Sequence, residues 1–296
     1  MADVAFIGLG IMGAPMAANL VAAGHRVRGF SRSAGTRAAA AAAGIETPSS
    51  AVDAAEGADV LITMLPDTPD VLGVLFGEGD AEGIVDHLAE GALVIDMSTI
   101  EPAAAVAIAS RLADDGRSAL DAPVSGGQAG AVEGALSIMV GGERTAFDRA
   151  RPLLDVLGTT VVHVGAAGSG QSVKAANQLM VAGHLQMLAE ALVFLDSQGV
   201  DLERALDVIG GGLAGSAVIQ RKRRAFLDSD FTPGFRIELH HKDLGIVQRT
   251  ARQAGLALPA TALISQLVQA VVAQGDGALD HSALYRLTTD LNGASR

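Results

Sequence analysis

Cysteine is absent from all 296 residues, which excludes a disulfide framework and any thiolate metal centre. A reducing compartment fits that composition, and the expected location is cytoplasmic. Positive charge is scarce: 21 Lys and Arg stand against 33 Asp and Glu, a formal net charge of −12. Such a chain is repelled by phosphate backbones unless a basic stripe offsets the field. The only dense basic run, Arg221-Lys222-Arg223-Arg224, reads as a solvated helix face, so no nucleic-acid partner is expected. No secretory leader is expected, because a strand-like run begins at residue 4. The most apolar long stretch, residues 179–195, is interrupted by His184, Gln186 and Glu190 and is short for a bilayer. It reads as a buried helix, and no membrane partner is expected. There is no Gly-x-Ser-x-Gly elbow. The histidines are scattered, or adjacent as at His240-His241, so no metal site is expected.

What is present is apolar mass and rhythm. Hydrophobic residues make up 49% and charged residues 18%, enough for a sizeable core and too apolar for disorder. The length suggests about two domains. Through residue 163, β-rich runs (4–7, 25–30, 60–64, 93–95, 119–122, 136–140, 160–164) alternate with helix-like segments (11–23, 33–43, 69–76, 102–113, 144–157). That alternation implies βαβ units in a largely parallel sheet. Beyond Gly165 the strand signal stops, and six helical segments follow (171–197, 202–209, 216–227, 239–254, 259–274, 282–290). Asp201 and Ser282 stand where N-caps are expected. The expectation is an α/β domain over residues 1–163 and an all-α domain over 164–296, joined by a long helix that starts near Gln171.

Gly8-Leu9-Gly10-Ile11-Met12-Gly13 follows the first strand and opens the first helix. In a dinucleotide-binding (Rossmann) fold, the first glycine makes the tight turn and the second lets backbone approach the pyrophosphate. The third allows close helix–strand packing, and amides at the helix start face the phosphates. A glycine-rich turn that binds nothing is the alternative, and the strand–turn–helix context weighs against it. At the end of the second strand an NAD-selective fold carries Asp or Glu. Here the chain reads Ser31-Arg32-Ser33. The guanidinium suits a 2′-phosphate, so NADP(H) is expected to be preferred, with NAD(H) possible. A solvated surface arginine is the other reading of Arg32.

Three lysines stand against eighteen arginines: Lys174, Lys222 and Lys242. A lysine that survives in so arginine-rich a chain is a candidate for chemistry that needs a primary amine. Lys222 belongs to the basic run and calls for no special role. Lys174 follows a glycine-rich entry, Gly168-Ser169-Gly170, and shares a helix face with Asn177. A desolvated amine can donate or accept the proton of a carbinol, although a helix lysine also snorkels. The residues alone leave both readings open. Two turns at strand ends, Asp96 to Thr99 and Asp121 to Gly127, point to the side of the sheet where ligands gather. The hydroxyl and unobstructed amides of Ser125-Gly126-Gly127 suit a carboxylate.

Four separated motifs then agree in order and spacing: residues 8–20, 121–134, 168–177, and Lys242-Asp243-Leu244. On these the chain resembles the β-hydroxyacid dehydrogenases over nearly its whole length. The resemblance implies an NAD(P)-dependent oxidoreductase with Lys174 as acid–base and Asn177 its partner. It implies that Ser125, Gly126 and Gly127 hold the substrate carboxylate. Thr99 and the Met64-Leu65-Pro66 turn would line the nicotinamide and its ribose, and Lys242 would reach the cofactor. Gln178 departs from the family pattern, where many members carry a second Asn. Residues 231–237, 211–216 and 280–284 look most like the branch that reduces tartronate semialdehyde. The branches acting on 3-hydroxyisobutyrate, glyoxylate or succinic semialdehyde share the catalytic residues. A non-catalytic dinucleotide sensor would be expected to lose the lysine, and an imine-reducing variant would call for a different residue at 174. The implied partners are a small hydroxy-acid or semialdehyde substrate and further copies of the chain, as a homodimer or homotetramer.

Overall fold

The computed structural model describes residues 1–79 and 81–293. The chain divides into two compact units after Lys174. In the first, the elements run β1 (Asp3–Ile7), α1 (Gly13–Ala22), β2 (Arg26–Phe30), α2 (Ala34–Ala42), α3 (Ala51–Ala55), β3 (Val60–Thr63) and α4 (Thr68–Phe76). A small hairpin follows, β4 (Gly77–Glu78) with β5 (Ala81–Glu82), then β6 (Leu93–Asp96), α5 (Pro102–Asp114), β7 (Ser118–Asp121), β8 (Val124–Ser125), α6 (Gly127–Glu133), β9 (Leu136–Gly142), α7 (Arg144–Leu157) and β10 (Gly158–Gly165).

The main sheet has the order β10-β9-β7-β6-β3-β1-β2, with β8 pairing β9. Strands β2, β1, β3, β6 and β7 are mutually parallel, and β9 runs antiparallel to β7. An isolated parallel bridge between Arg28 and Glu46 adds a vestigial strand outside β2. With it, the strand order reverses between β1 and β3, which places a ligand crevice at the carboxyl ends of those strands. Both faces of the central strands β1, β3 and β6 are buried, as a parallel sheet requires. Val4, Phe6, Ile62 and Ile95 enter one core, while Ala5, Ile7, Leu61 and Val94 enter the other. Successive residues thus feed opposite cores through the two-residue period of a strand.

The expected helices and strands are present within a few residues. Elements α3, the β4–β5 hairpin, β8, α6 and the bridge at Glu46 have no counterpart among the expected segments, being too short to carry a period of their own.

Helix α8 (Ser169–Ser197) passes through the division between the units. Among the described residues of the second unit the remaining named elements are helices, α9 (Leu202–Gly211), α10 (Ala217–Leu227), α11 (Ile237–Gln253), α12 (Pro259–Val271) and α13 (Leu284–Leu291), with one isolated β-bridge between Arg236 and Asp280. Asp201 and Ser216 cap α9 and α10 by accepting the Arg204 and Ile219 amides. The cap expected at Ser282 belongs to Asp280, which accepts the Ser282 amide at the start of a short 3-10 turn. Beyond Val271, helix α12 continues as a π-helical turn (Val272–Asp276), and the chain leaves helical geometry at Gly275, φ 92°, one residue past the expected end. By length and composition α8 could cross a bilayer; its Ala182, Leu185, Leu188, Ala189 and Leu192 instead pack into the core of the helical unit.

One expectation is overturned. Lys222 is not part of a solvated face: its ammonium lies 2.7 Å from the buried carboxylate of Asp280. Arg223 of the same run pairs with Asp207 at 2.6 Å. The partners lie on segments that helical periodicity does not connect.

Candidate active site

Gly8 takes φ 108° and donates its amide to the Phe30 carbonyl at 2.9 Å. A β-carbon there would overlap the Met64 carbonyl, and one at Gly13 would overlap the Gly8 carbonyl. At Gly10 a β-carbon would meet no protein atom within 4 Å. The loop is therefore shut against the protein at its first and third glycines and open at its second, the arrangement a pyrophosphate needs. Leu9 is buried, whereas Gly10 and Ile11 are exposed and Met12 half-buried.

At the end of β2, the Arg32 side chain is 86% exposed, with its guanidinium 3.9 Å from Asp70. The Ser33 hydroxyl accepts the Thr36 amide and so caps α2, while Ser31 is half-buried. Arg37 went unnoticed in the sequence. Its guanidinium donates to the carbonyls of Ser31 and Arg32 and lies over the Phe30 ring, 5.5 Å from its centroid. Its place one turn into α2, beyond the Ser33 cap, is the signal that could have found it.

The turns after β3 and β6 are tied together. The Leu65 amide donates to Ser98 Oγ at 2.9 Å. The Thr63 hydroxyl and Ser98 amide both donate to Asp96 Oδ1, at 2.7 and 3.1 Å. The Met64-Leu65-Pro66 turn is thereby tied to Ser98, the residue before Thr99. The next strand end brings Ser125, at the close of β8, followed by Gly126 at φ 142° and Gly127 at φ 63°. Lys174 reaches this turn: it is 7% exposed, and its Nζ donates to the Val124 carbonyl at 2.7 Å. Asp121 lies beneath, accepting the Gly168 and Gln171 amides at 2.8 Å each. Burial pushes the Asp121 carboxyl up to about 6; the two amides oppose that rise and the charge of Asp96 adds to it.

Within the helical unit, Asn177 and Lys242 belong to one polar chain. Asn177 Nδ2 donates to Gln178 Oε1 at 3.0 Å, and Gln178 Nε2 donates to Asp243. Lys242 Nζ lies 2.9 Å from the other oxygen of that carboxylate. The Gln178 that departs from the family pattern is thus the link, and Asp243, unassigned from sequence, is its anchor. His240 Nε2 approaches the Gln178 carbonyl at 3.1 Å.

A switch-point glycine loop open at its second glycine, with an enclosed lysine at the β8 turn of the same unit, defines the class: a nicotinamide-dinucleotide-dependent dehydrogenase. Residues 3–165 match the family described as the NAD-binding domain of 6-phosphogluconate dehydrogenase. Residues 168–288 match that described as NAD-binding of NADP-dependent 3-hydroxyisobutyrate dehydrogenase. The chain is 41% identical over 283 residues to 2-hydroxy-3-oxopropionate reductase of Escherichia coli, covering 95% of each chain. It is 35% identical to 2-(hydroxymethyl)glutarate dehydrogenase of Eubacterium barkeri, covering 99% of this chain and 96% of the other. A solved structure of 3-hydroxyisobutyrate dehydrogenase from Mycobacterium tuberculosis with L-serine is similar at a TM-score of 0.85 and 36% identity, covering 97% of this chain and 98% of that one. The chain belongs to the β-hydroxyacid dehydrogenase family, whose members are oxidoreductases that use NAD or NADP.

Proposed function

We propose that this enzyme reduces a small carboxylate-bearing aldehyde with NADPH, tartronate semialdehyde first among candidates, and that Lys174 is the acid–base. The observation that carries the reading is the enclosed Lys174 ammonium, 2.7 Å from the Val124 carbonyl and so one residue from the Ser125-Gly126-Gly127 turn. In this reading Ser125 and the two glycines hold the substrate carboxylate. The aldehyde oxygen then lies within reach of Lys174 Nζ, which gives it a proton as the carbonyl carbon becomes a carbinol. Asn177, three positions along the same helix, orients the amine. Bound at the glycine loop, the dihydronicotinamide supplies the hydride. Gly8 to Gly13 hold its pyrophosphate. Ser31, Arg32 and Ser33 would select the 2′-phosphate, Met64 to Pro66 with Thr99 would line the nicotinamide and its ribose, and Lys242 would contribute to cofactor binding. Positioning and charge stabilisation supply most of the acceleration.

The 41% identity to the E. coli reductase supports this choice of substrate; 3-hydroxyisobutyrate, glyoxylate and succinic semialdehyde are the competitors to assay beside it. Dinucleotide binding is assigned to residues 1–163, and substrate selection and assembly to 164–296. A cytoplasmic homodimer or homotetramer is proposed, supported by the exposed apolar side chains Val173, Met180, Met187 and Phe194, repeated every seventh residue on α8. The test is Lys174→Ala. Turnover is expected to fall by about 10²–10⁴-fold, the range for a positioned acid–base, with NADPH affinity nearly unchanged. Wild-type turnover in that variant would end the proposal.

A further inference from the structure

The buried Asp121 carboxylate belongs to none of the roles above, and its surroundings assign it one. Strands β6 and β7 pair Asp96 directly with Asp121, so two acidic residues face each other in adjacent strands. Asp121 is 4% exposed. A like-charged neighbour and loss of solvent both disfavour the anion, so the carboxylate is a liability to folding. What it uniquely offers is two anionic acceptors on one planar group. Oδ1 takes the Gly168 amide and Oδ2 the Gln171 amide, each at 2.8 Å, at the start of a 29-residue helix whose dipole favours an anion there. The fit is closed on both sides. A β-carbon at Gly141 would come within 2.5 Å of Oδ1, and one at Gly170 within 2.8 Å of Oδ2. Gln171 then extends the grip: its Oε1 accepts the Ile100 amide at 3.1 Å and its Nε2 donates to the Ser98 carbonyl at 2.8 Å, bracketing Thr99.

We propose that Asp121 and Gln171 are positioning residues, a latch that fixes the first turn of α8 to the ends of β6 and β7 and so sets where Lys174 presents its amine. Lys174 stands three residues after Gln171, roughly 4.5 Å along the helix axis. A shift of the first turn is therefore passed directly to the ammonium. Displacement by about 1 Å at a reacting group can cost on the order of 10²-fold in rate. The latch touches neither substrate nor cofactor. It rests on the reading of Lys174 as the acid–base.

The variants are Asp121→Asn and Gln171→Leu, in the full chain, with Lys174→Ala alongside. Asparagine keeps the shape of the side chain but offers one acceptor oxygen and turns an NH2 group towards an amide that also donates. Asp121→Asn is expected to lower kcat by roughly 10–100-fold and to raise the primary isotope effect with 4-deuterated NADPH. Amide hydrogen exchange at Gly168 and Gln171 is expected to speed up. The NADPH dissociation constant, read by fluorescence, is expected to stay within about two-fold and the melting temperature at pH 7 to hold or rise. Gln171→Leu is expected to give the same split, more weakly. Wild-type kcat, isotope effect and exchange in the folded variants overturn the proposal. If Asp121→Asn does not fold, Gln171→Leu decides by the same kinetic readouts. Retained turnover in Lys174→Ala defeats the acid–base reading instead; its loss there, with wild-type kinetics in the latch variants, defeats the latch alone.

Discussion

Lys222→Met removes one buried charge and keeps most of the apolar stem. Asp280, 1% exposed, accepts from Lys222 Nζ at 2.7 and 2.9 Å. It also accepts from the Gly234, Phe235 and Ser282 amides and from Ser282 Oγ. Burial by itself would raise the Asp280 pKa. Attraction to His281 and Lys222, with hydrogen bonds from Lys222 and Ser282, outweighs it and holds the carboxyl at about 2 against an ordinary 3.8. Because the folded value lies below the unfolded one, the contribution is present above pH 3.8 and is lost as pH falls towards 2. At about 1.4 kcal/mol per unit, the depression is worth about 2 kcal/mol. Lys222 supplies a share of it, since the amides and Ser282 remain. Methionine at 222 should therefore destabilise the helical unit by about 1–2 kcal/mol at pH 7. That is below the 3–5 kcal/mol typical of breaking a fully buried pair, because the Lys222 side chain keeps 20% of its exposure. With a slope of about 2 kcal/mol per molar urea, the midpoint falls by roughly 0.5–1 M. The chain supplies its own probe. Tyr285 is the single tyrosine and tryptophan is absent, and its ring lies 5.3 Å from Phe226 on the same helix as Lys222. Tyrosine fluorescence in urea thus reports on this unit alone. In the variant, acid unfolding should also begin at higher pH. An unchanged midpoint together with an unchanged acid limb would show that the Lys222–Asp280 pair contributes nothing to stability.

Four further outcomes are expected. Gly10→Ala should fold normally but weaken NADPH binding, since its β-carbon meets no protein atom within 4 Å. Gly13→Ala should lose stability through overlap with the Gly8 carbonyl; melting curves and fluorescence titration separate the two, and equal melting temperatures would contradict the loop geometry. Arg32→Ala should raise the NADPH Michaelis constant by about 10–100-fold, the size of a charge-assisted hydrogen bond of about 1.5–3 kcal/mol, and leave NADH little changed; parallel changes would remove Arg32 from 2′-phosphate selection. Asp121, raised to about 6 from 3.8, holds an extra proton in the folded state between those values, so its effect runs opposite to that of Asp280. Stability should decline as pH rises through that window, by up to about 3 kcal/mol, and Asp121→Asn should abolish the slope. Equal calorimetric pH profiles for the two proteins would count against it.

Whatever depends on neighbours along the chain is legible in the order of the amino acids. Alternating strand and helix periods specified the sheet and the helical unit, glycines at a strand-to-helix turn specified the open loop, and the rarity of lysine drew attention to Lys174, which is enclosed beside Val124. Tertiary structure decided the partners. Lys222 meets Asp280 across 58 residues, Asp121 meets Gly168 across 47, and Gln178 meets Asp243 across 65. No local period encodes such pairings. A charged side chain in a basic run reads as solvated until the fold supplies a buried carboxylate, and an aspartate in a turn motif reads as punctuation until a helix start arrives above it. Propensity and periodicity act over a few residues, whereas desolvation and hydrogen-bond satisfaction are properties of the packed chain.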